Sequence, residues 1–322
     1  MKKILTILLT VLTVTVTTTF GQITTTKVAP KAEQVDNTPY DSTQNFLGKD
    51  VYKYIGQELY LKGKAESSRK YGYRGFLIDY TKSSSTNKTN VYKCCDSYNS
   101  KYDELAGKYF KVLAVHKHPK AKESWYFGKK YYLELQEKES GDKVYFEYDS
   151  QYEHLFPFIV VGFFEKQKKL VVGQEFVFKD IVLKSSTDIE TGKPITTKTG
   201  QKWKCTDLTI EEEYYNLSLI IQNSFGEKTD ISYNCVFKAG AIKRCTFSPA
   251  EVDENRKKFG DENFDRILQG KVKIGMTKKM CRLSWGEPNS INETITSGKK
   301  TEQWVYSDNY LYFDNGILTA IQ

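Results

Sequence analysis

Three stretches of the chain share one local design, and it limits the possible folds more than any other feature. "IGQELYLKGK" begins at Ile55, "LAGKYFKVLA" at Leu105 and "VVGQEFVFKD" at Val171. In each, a small or apolar residue precedes Gly56, Gly107 or Gly173, a polar residue follows, and a run of β-formers comes next. An aromatic strand succeeds each one after a polar loop: "YGYRGFLIDY", "KKYYLELQEK" and "QKWKCTDLTI". "DKVYFEYDS" adds a further strand behind the Ser140-Gly141-Asp142 turn. A unit of this size cannot bury its own apolar face, so such units must pack on one another. The expectation is a mainly β chain with three related β-rich units, each a meander or small, partly open barrel. Residues 46–154 hold two of them and residues 155–246 the third; one irregular β-sandwich is the alternative.

The connection "HLFPFIVVGFFEKQKKLVVG" is apolar, but Pro157 and Gly162 break it. It is too short to cross a bilayer and suits a buried link, with "FFEKQKKL" as a short amphipathic helix.

The first residues, "MKKILTILLTVLTVTVTTTFGQ", place Lys2 and Lys3 before an apolar run and then small residues. This is the pattern of a secretory signal peptide, with cleavage expected between Gly21 and Gln22. No cysteine follows the run, so no lipid anchor is expected, and no later segment is apolar enough to span a membrane. Residues 22–45 are polar and Thr-rich and read as a flexible leader. The expected location is periplasmic or extracellular. The formal charge of +8 is dispersed among acidic residues, which argues for a solvated surface and against nucleic acid as a partner.

Six cysteines in an exported chain permit disulfides without dictating which. Cys235 and Cys245 flank "VFKAGAIKR", whose Ala-Gly centre suits a hairpin, and are the expected bridged pair. Six buried thiols are the alternative. No CxxC pair is present, so a zinc knuckle is unsupported.

Catalytic signals are weak. Three histidines occur, His116, His118 and His154. On a strand over 110–118 the first two share a face and are a candidate metal pair, but Lys117, Pro119 and Lys120 favour an exposed strand end. No GxSxG elbow, HExxH, P-loop or GxGxxG is found. Glu211-Glu212-Glu213 read as a solvated loop rather than as general acid–base groups. No enzyme, metal or cofactor is expected.

The last quarter carries the sharpest local signals. Ser248 with Glu251 forms a capping box, and Pro249 takes the first helical position. "DENFDRILQG" is a second helical piece. In "GKVKIGMTKKMCRLSWGEP", Thr277 caps a helix whose interior holds Met280, Cys281, Leu283 and Trp285, with Gly286 and Pro288 ending it. β-runs around Trp304–Tyr306, Tyr310–Phe313 and Ile317–Ile321 follow, the last two joined by Asp314-Asn315-Gly316, a strong hairpin signal. The helix supplies the apolar cover that such a sheet lacks. Trp285, Trp304 and Tyr306 are the candidate aromatics, for core or for binding, and Trp285 is expected in the core.

"IGMTKKMCRLSWGEP", "EQWVY" and "YLYFDNGILTAI" in this order resemble the SmpA/OmlA (BamE-like) family. The resemblance covers under a quarter of the chain. It implies a two-layer α+β domain over residues 247–322, acting in protein binding or scaffolding. The functional expectation is an exported, non-catalytic envelope protein that binds another envelope protein. A glycan- or peptidoglycan-binding module using the aromatics of the β-units is the second reading, and a hydrolase with a dispersed site the third.

Overall fold

Gly56, Gly107 and Gly173 all adopt positive φ, 82°, 78° and 90°, a region that glycine enters at little cost. Each turns the chain into a strand, so the recurrent motif marks three equivalent strand starts. The computed structural model describes residues 39–82, 87–94, 98–237, 245–296 and 299–322. The expected signal peptide, its Gly21–Gln22 junction, most of the leader, Cys95 and the turn between Cys235 and Cys245 lie outside these residues. The chain is mainly β, with three antiparallel sheets and several helices.

The first sheet contains β1 (Glu58–Leu61), β2 (Phe76–Leu77), β3 (Tyr109–Lys117), β4 (Lys130–Glu137), β5 (Lys143–Asp149) and β6 (Phe158–Val160). Their order is β2-β5-β4-β3-β1-β6. Single-turn helices α1 (Glu66–Arg69) and α2 (Tyr102–Leu105) sit in the connections. Here the arrangement departs from one meander per repeat. β1 of the first repeat pairs with β3 of the second, Leu59 opposite Phe110, and with β6 on its other side, Leu59 opposite Val160. The reason is size: β1 turns only Leu59 and Leu61 inward, too little to make a core alone. Together the strands bury Phe76, Phe110, Phe146 and Phe158 in one core.

The segment 39–45, read as the end of a leader, is built into this sheet. Asn45 Nδ2 donates to the Phe158 carbonyl at 2.9 Å, and Asn45 Oδ1 accepts from Val160 N–H at 2.8 Å. One side-chain amide thus occupies the outer edge of β6.

Helix α3 (Val161–Val171) leads out of β6 and buries Phe163, Gln167 and Val171, one face of a 3.6-residue period. The second sheet follows: β7 (Glu175–Phe178), α4 (Asp180–Leu183), β8 (Lys202–Ile210), β9 (Leu217–Gln222), β10 (Lys228–Ser232), α5 (Tyr233–Phe237) and β11 (Thr246–Phe247). Its strand order is β10-β9-β8-β7-β11. Alternation along β7 serves two cores. Phe176 and Phe178 join Trp203, Cys205 and Leu219, while Val177 points the other way with Phe247.

Onto that second face pack α6 (Pro249–Phe259), α7 (Asp261–Leu268) and α8 (Lys278–Trp285). The Ser248–Glu251 capping box forms, with Glu251 N–H donating to Ser248 Oγ at 3.3 Å. Phe264, Ile267 and Leu268 of α7 are fully buried. The third sheet runs in chain order, β12 (Ser290–Thr296), β13 (Lys299–Val305), β14 (Tyr310–Asp314) and β15 (Ile317–Ile321). Asn315 and Gly316 take φ 47° and 84° between β14 and β15, the two positive values that a type I′ turn needs. Trp304, Leu311, Phe313 and Leu318 of this sheet share one core with buried residues of α6, α7 and α8. Buried Lys179 ties the second sheet to this layer, donating from Nζ to the Ser284 carbonyl at 2.8 Å. Among the described residues no helix is long and apolar enough to cross a membrane.

Candidate functional site

A cleft of about 480 Å³ opens between the first and second sheets. Its floor belongs to both cores: Phe163 lies in the first, and half-buried Leu217 packs against each. One wall is the built-in segment from Thr43 to Phe46, positioned by the bonds of Asn45 to β6. The opposite wall is α5, which presents Tyr233, Asn234 and Phe237. Tyr233 is fixed because its hydroxyl donates to Gln167 Oε1 at 2.8 Å, and its ring packs 4.7 Å from Phe237. Phe237 remains 44% exposed, a large apolar ring left at the cleft mouth.

The β8–β9 loop closes one end, and its shape follows from a single carboxylate. Glu211 accepts backbone N–H bonds from Glu213 at 2.7 Å, Tyr214 at 2.9 Å and Asn216 at 3.0 Å. The acidic run read as a solvated loop thus has one member that organises the backbone. The bend holds Tyr215 at φ 55°, an uncommon conformation for a non-glycine residue. Tyr215 lies against Gly63, where a Cβ would come within 2.2 Å of its ring. A hydrogen bond with Tyr102 raises the pKa of its phenol.

Lys62 and Glu153 bring one charge of each sign to the lining. The cleft otherwise offers side-chain amides from Gln44, Asn216 and Asn234 and rings from Phe46 and Tyr215. Each amide carries both donors and acceptors, and the rings supply apolar contact without net charge. The arrangement suits reversible recognition of a polar, uncharged chain.

The residues singled out in the sequence lie elsewhere or in other roles. Trp304 is fully buried, 4.5 Å from the Phe313 ring and beneath the Arg282 guanidinium at 4.3 Å. Trp285 and Tyr306 are half-buried and pack edge to face at 5.3 Å on the margin of the same core. Helix α8 buries Met280, Cys281 and Ser284 instead of Leu283 and Trp285. The spacing 277–281–284 centres its stripe one position before the tryptophan, whose Nε1 bonds the Gly270 carbonyl at 3.0 Å.

Cys235 and Cys245 are not joined by a disulfide in this structure, where a bridge was expected. They are nonetheless neighbours. Burial, then a hydrogen bond with Cys245, pushes the Cys235 thiol up to about 12. Cys235 stands on α5, a helix rather than a hairpin arm. Cys94 is disulfide-bonded. His116 and His118 do share the outer face of the first sheet. His116 contacts Glu134 at 2.9 Å and stacks on Tyr80, while His118 stacks on Phe127. Ring packing occupies both, and no group of three or more metal-ligating side chains occurs among the described residues.

Sequence reasoning missed the cleft because its amides come from three separate segments, at Gln44, Asn216 and Asn234. One of them, the run Glu211–Asn216, begins with the three glutamates read as a solvated loop. No family model, no curated protein and no solved structure matches the chain.

Proposed function

We propose that this protein is a non-catalytic binding module of the cell envelope, holding a short segment of a partner polypeptide in the cleft between its first two sheets. The observation that carries this reading is the cleft lining: free amides beside exposed and half-buried rings, in a volume of about 480 Å³. That size lies in the range of specific ligand sites. Amides of Asn216 and Asn234 pair with peptide N–H and C=O groups, and Phe237 and Phe46 take apolar side chains. Lys62 and Glu153 together select neither a cationic nor an anionic segment. The N-terminal pattern supports export, and the BamE-like reading of residues 247–322 supports a scaffolding role for the C-terminal layer.

The test is retention of peptides from a proteolytic digest of envelope proteins on the immobilised full chain. The wild type should enrich a defined set. Phe237→Ala and Asn234→Ala, at exposed positions, should lose that set while keeping the wild-type circular dichroism. Equal enrichment by both variants would refute the assignment.

A further inference from the structure

A second, smaller pocket lies on the outer face of the β4–β5 hairpin and has chemistry unlike the cleft. Its volume is about 180 Å³, below the span typical of drug-sized ligands and sufficient for one ring. Alternation along β4 and β5 sends Lys130, Glu147 and Asp149 to this face, away from the core residues Tyr131 and Tyr148, while Phe146 belongs both to the core and to the pocket lining. Lys130 and Asp149 are each 8% exposed, so the pocket floor is charged and largely dry. The Lys130 ammonium pairs with Glu147 and lies 4.6 Å from the centre of the Tyr126 ring. Asp149 Oδ1 accepts from the Gln151 N–H at 2.9 Å. The second carboxylate oxygens of Glu147 and Asp149 accept no hydrogen bond from the described residues. Around the rim stand Tyr126 and Tyr152, each 48% exposed, together with the exposed Arg74.

We infer that this pocket binds one neutral pyranose ring of a glycan. Two carboxylates and two cations balance, so an anionic or a cationic ligand meets as much repulsion as attraction. A sugar hydroxyl both donates and accepts, and so satisfies a carboxylate oxygen and a guanidinium at once. The tyrosine faces on the rim match the C–H face of a pyranose. The short turn at residues 153–155 separates the two cavities: Glu153 lines the cleft, while Tyr152 and Leu155 line this pocket. The site is thus a neighbour of the cleft with its own ligand.

Isothermal titration of the full chain with glucose, N-acetylglucosamine and glucuronate tests the inference. The two neutral sugars should bind, and glucuronate should bind more weakly. Tyr126→Ala or Tyr152→Ala should weaken binding about two- to tenfold, as expected for loss of one ring contact. Asp149→Asn should weaken it about tenfold or more, as for a charge-assisted hydrogen bond. The exposed rim variants keep the fold, so their loss of binding reports on the site; peptide retention by the cleft should not change in them. No heat from either neutral sugar, stronger binding of glucuronate, or affinities that the three substitutions leave unchanged would overturn the assignment.

Discussion

The first and third sheets are both antiparallel, yet they are put together in opposite ways. β12 to β15 lie side by side in chain order, each joined to the next by a short connection. In the first sheet β1 stands between β3 and β6, so Leu59 meets Phe110 on one side and Val160 on the other. Local assembly leaves its instructions in neighbouring residues, such as the Asn315-Gly316 turn and the caps at Ser248 and Thr277. Non-local assembly leaves room at its seams. The cleft lies at one such seam, where the edge of β6 is finished by the side chain of Asn45 rather than by another strand.

The contrast predicts where substitutions hurt most. Trp304 is the largest side chain buried in the C-terminal layer, and Trp304→Ala should cost about 3–5 kcal/mol. Chemical denaturation of the full chain would show it. Trp285→Ala should fall within the ~0.5–3 kcal/mol of ordinary substitutions, because that ring is only partly buried, at the margin of the core. A larger effect at Trp285 would reverse the ranking of the two.

Acid should act on both sheets through one buried carboxylate in each. Burial alone would raise the pKa of Glu302, but hydrogen bonds from Lys278, Trp304 and Lys300 bring it down to about 2. Glu137 is likewise held near 2: burial opposes, while Ser140 and the N–H groups of Glu139 and Ser140 prevail. A carboxylate whose pKa falls on folding stabilises the fold above its unfolded value, and that contribution disappears as pH drops through the folded value. Stability should therefore decline between about pH 4.5 and pH 2, by up to about 3 kcal/mol for each group. Glu302→Gln and Glu137→Gln should each flatten that decline when thermal midpoints are followed against pH. A slope unchanged in both would break the account.

The thiol pair sharpens the comparison at the seam. Oxidised glutathione should link Cys235 to Cys245, tying α5 to β11 and raising stability by about 2–3 kcal/mol. Peptide mapping without reduction should recover the linked peptides, and recovery of both thiols unmodified would contradict it. Gly63→Ala should act more weakly, costing about 1–3 kcal/mol through forced displacement of Tyr215. The same change should weaken peptide retention, since the β8–β9 loop no longer closes the cleft. A Gly63→Ala protein with wild-type retention would separate the loop from the site.

What could be read in the sequence follows the same division. The helices of residues 247–322 announce themselves by caps and period, and the last hairpin by its turn. The strand starts at Gly56, Gly107 and Gly173 were visible too, but not that β1 and β3 pair, since alternation fixes a face and leaves the partner open. Trp285 looked like the core anchor because it closes an apolar helix. Trp304 takes that place because β13 lies inside the sheet, directly under α8, where the alternation of Glu302 and Trp304 points both inward. The amides of the cleft gave no signal, since Gln44, Asn216 and Asn234 are scattered polar residues until the fold brings them together.

The central claim is that the cleft at this seam is where a partner polypeptide docks. Site-specific photocrosslinking tests it most directly, with the photoreactive group placed at Asn234 on α5 or, as a control, at Asn292 on β12. Cells of the source organism carrying the Asn234 probe should yield a defined polypeptide adduct, lost when Phe237→Ala is added, and the Asn292 probe should yield none of it. The same adduct from both positions, or from Asn292 alone, would contradict the account.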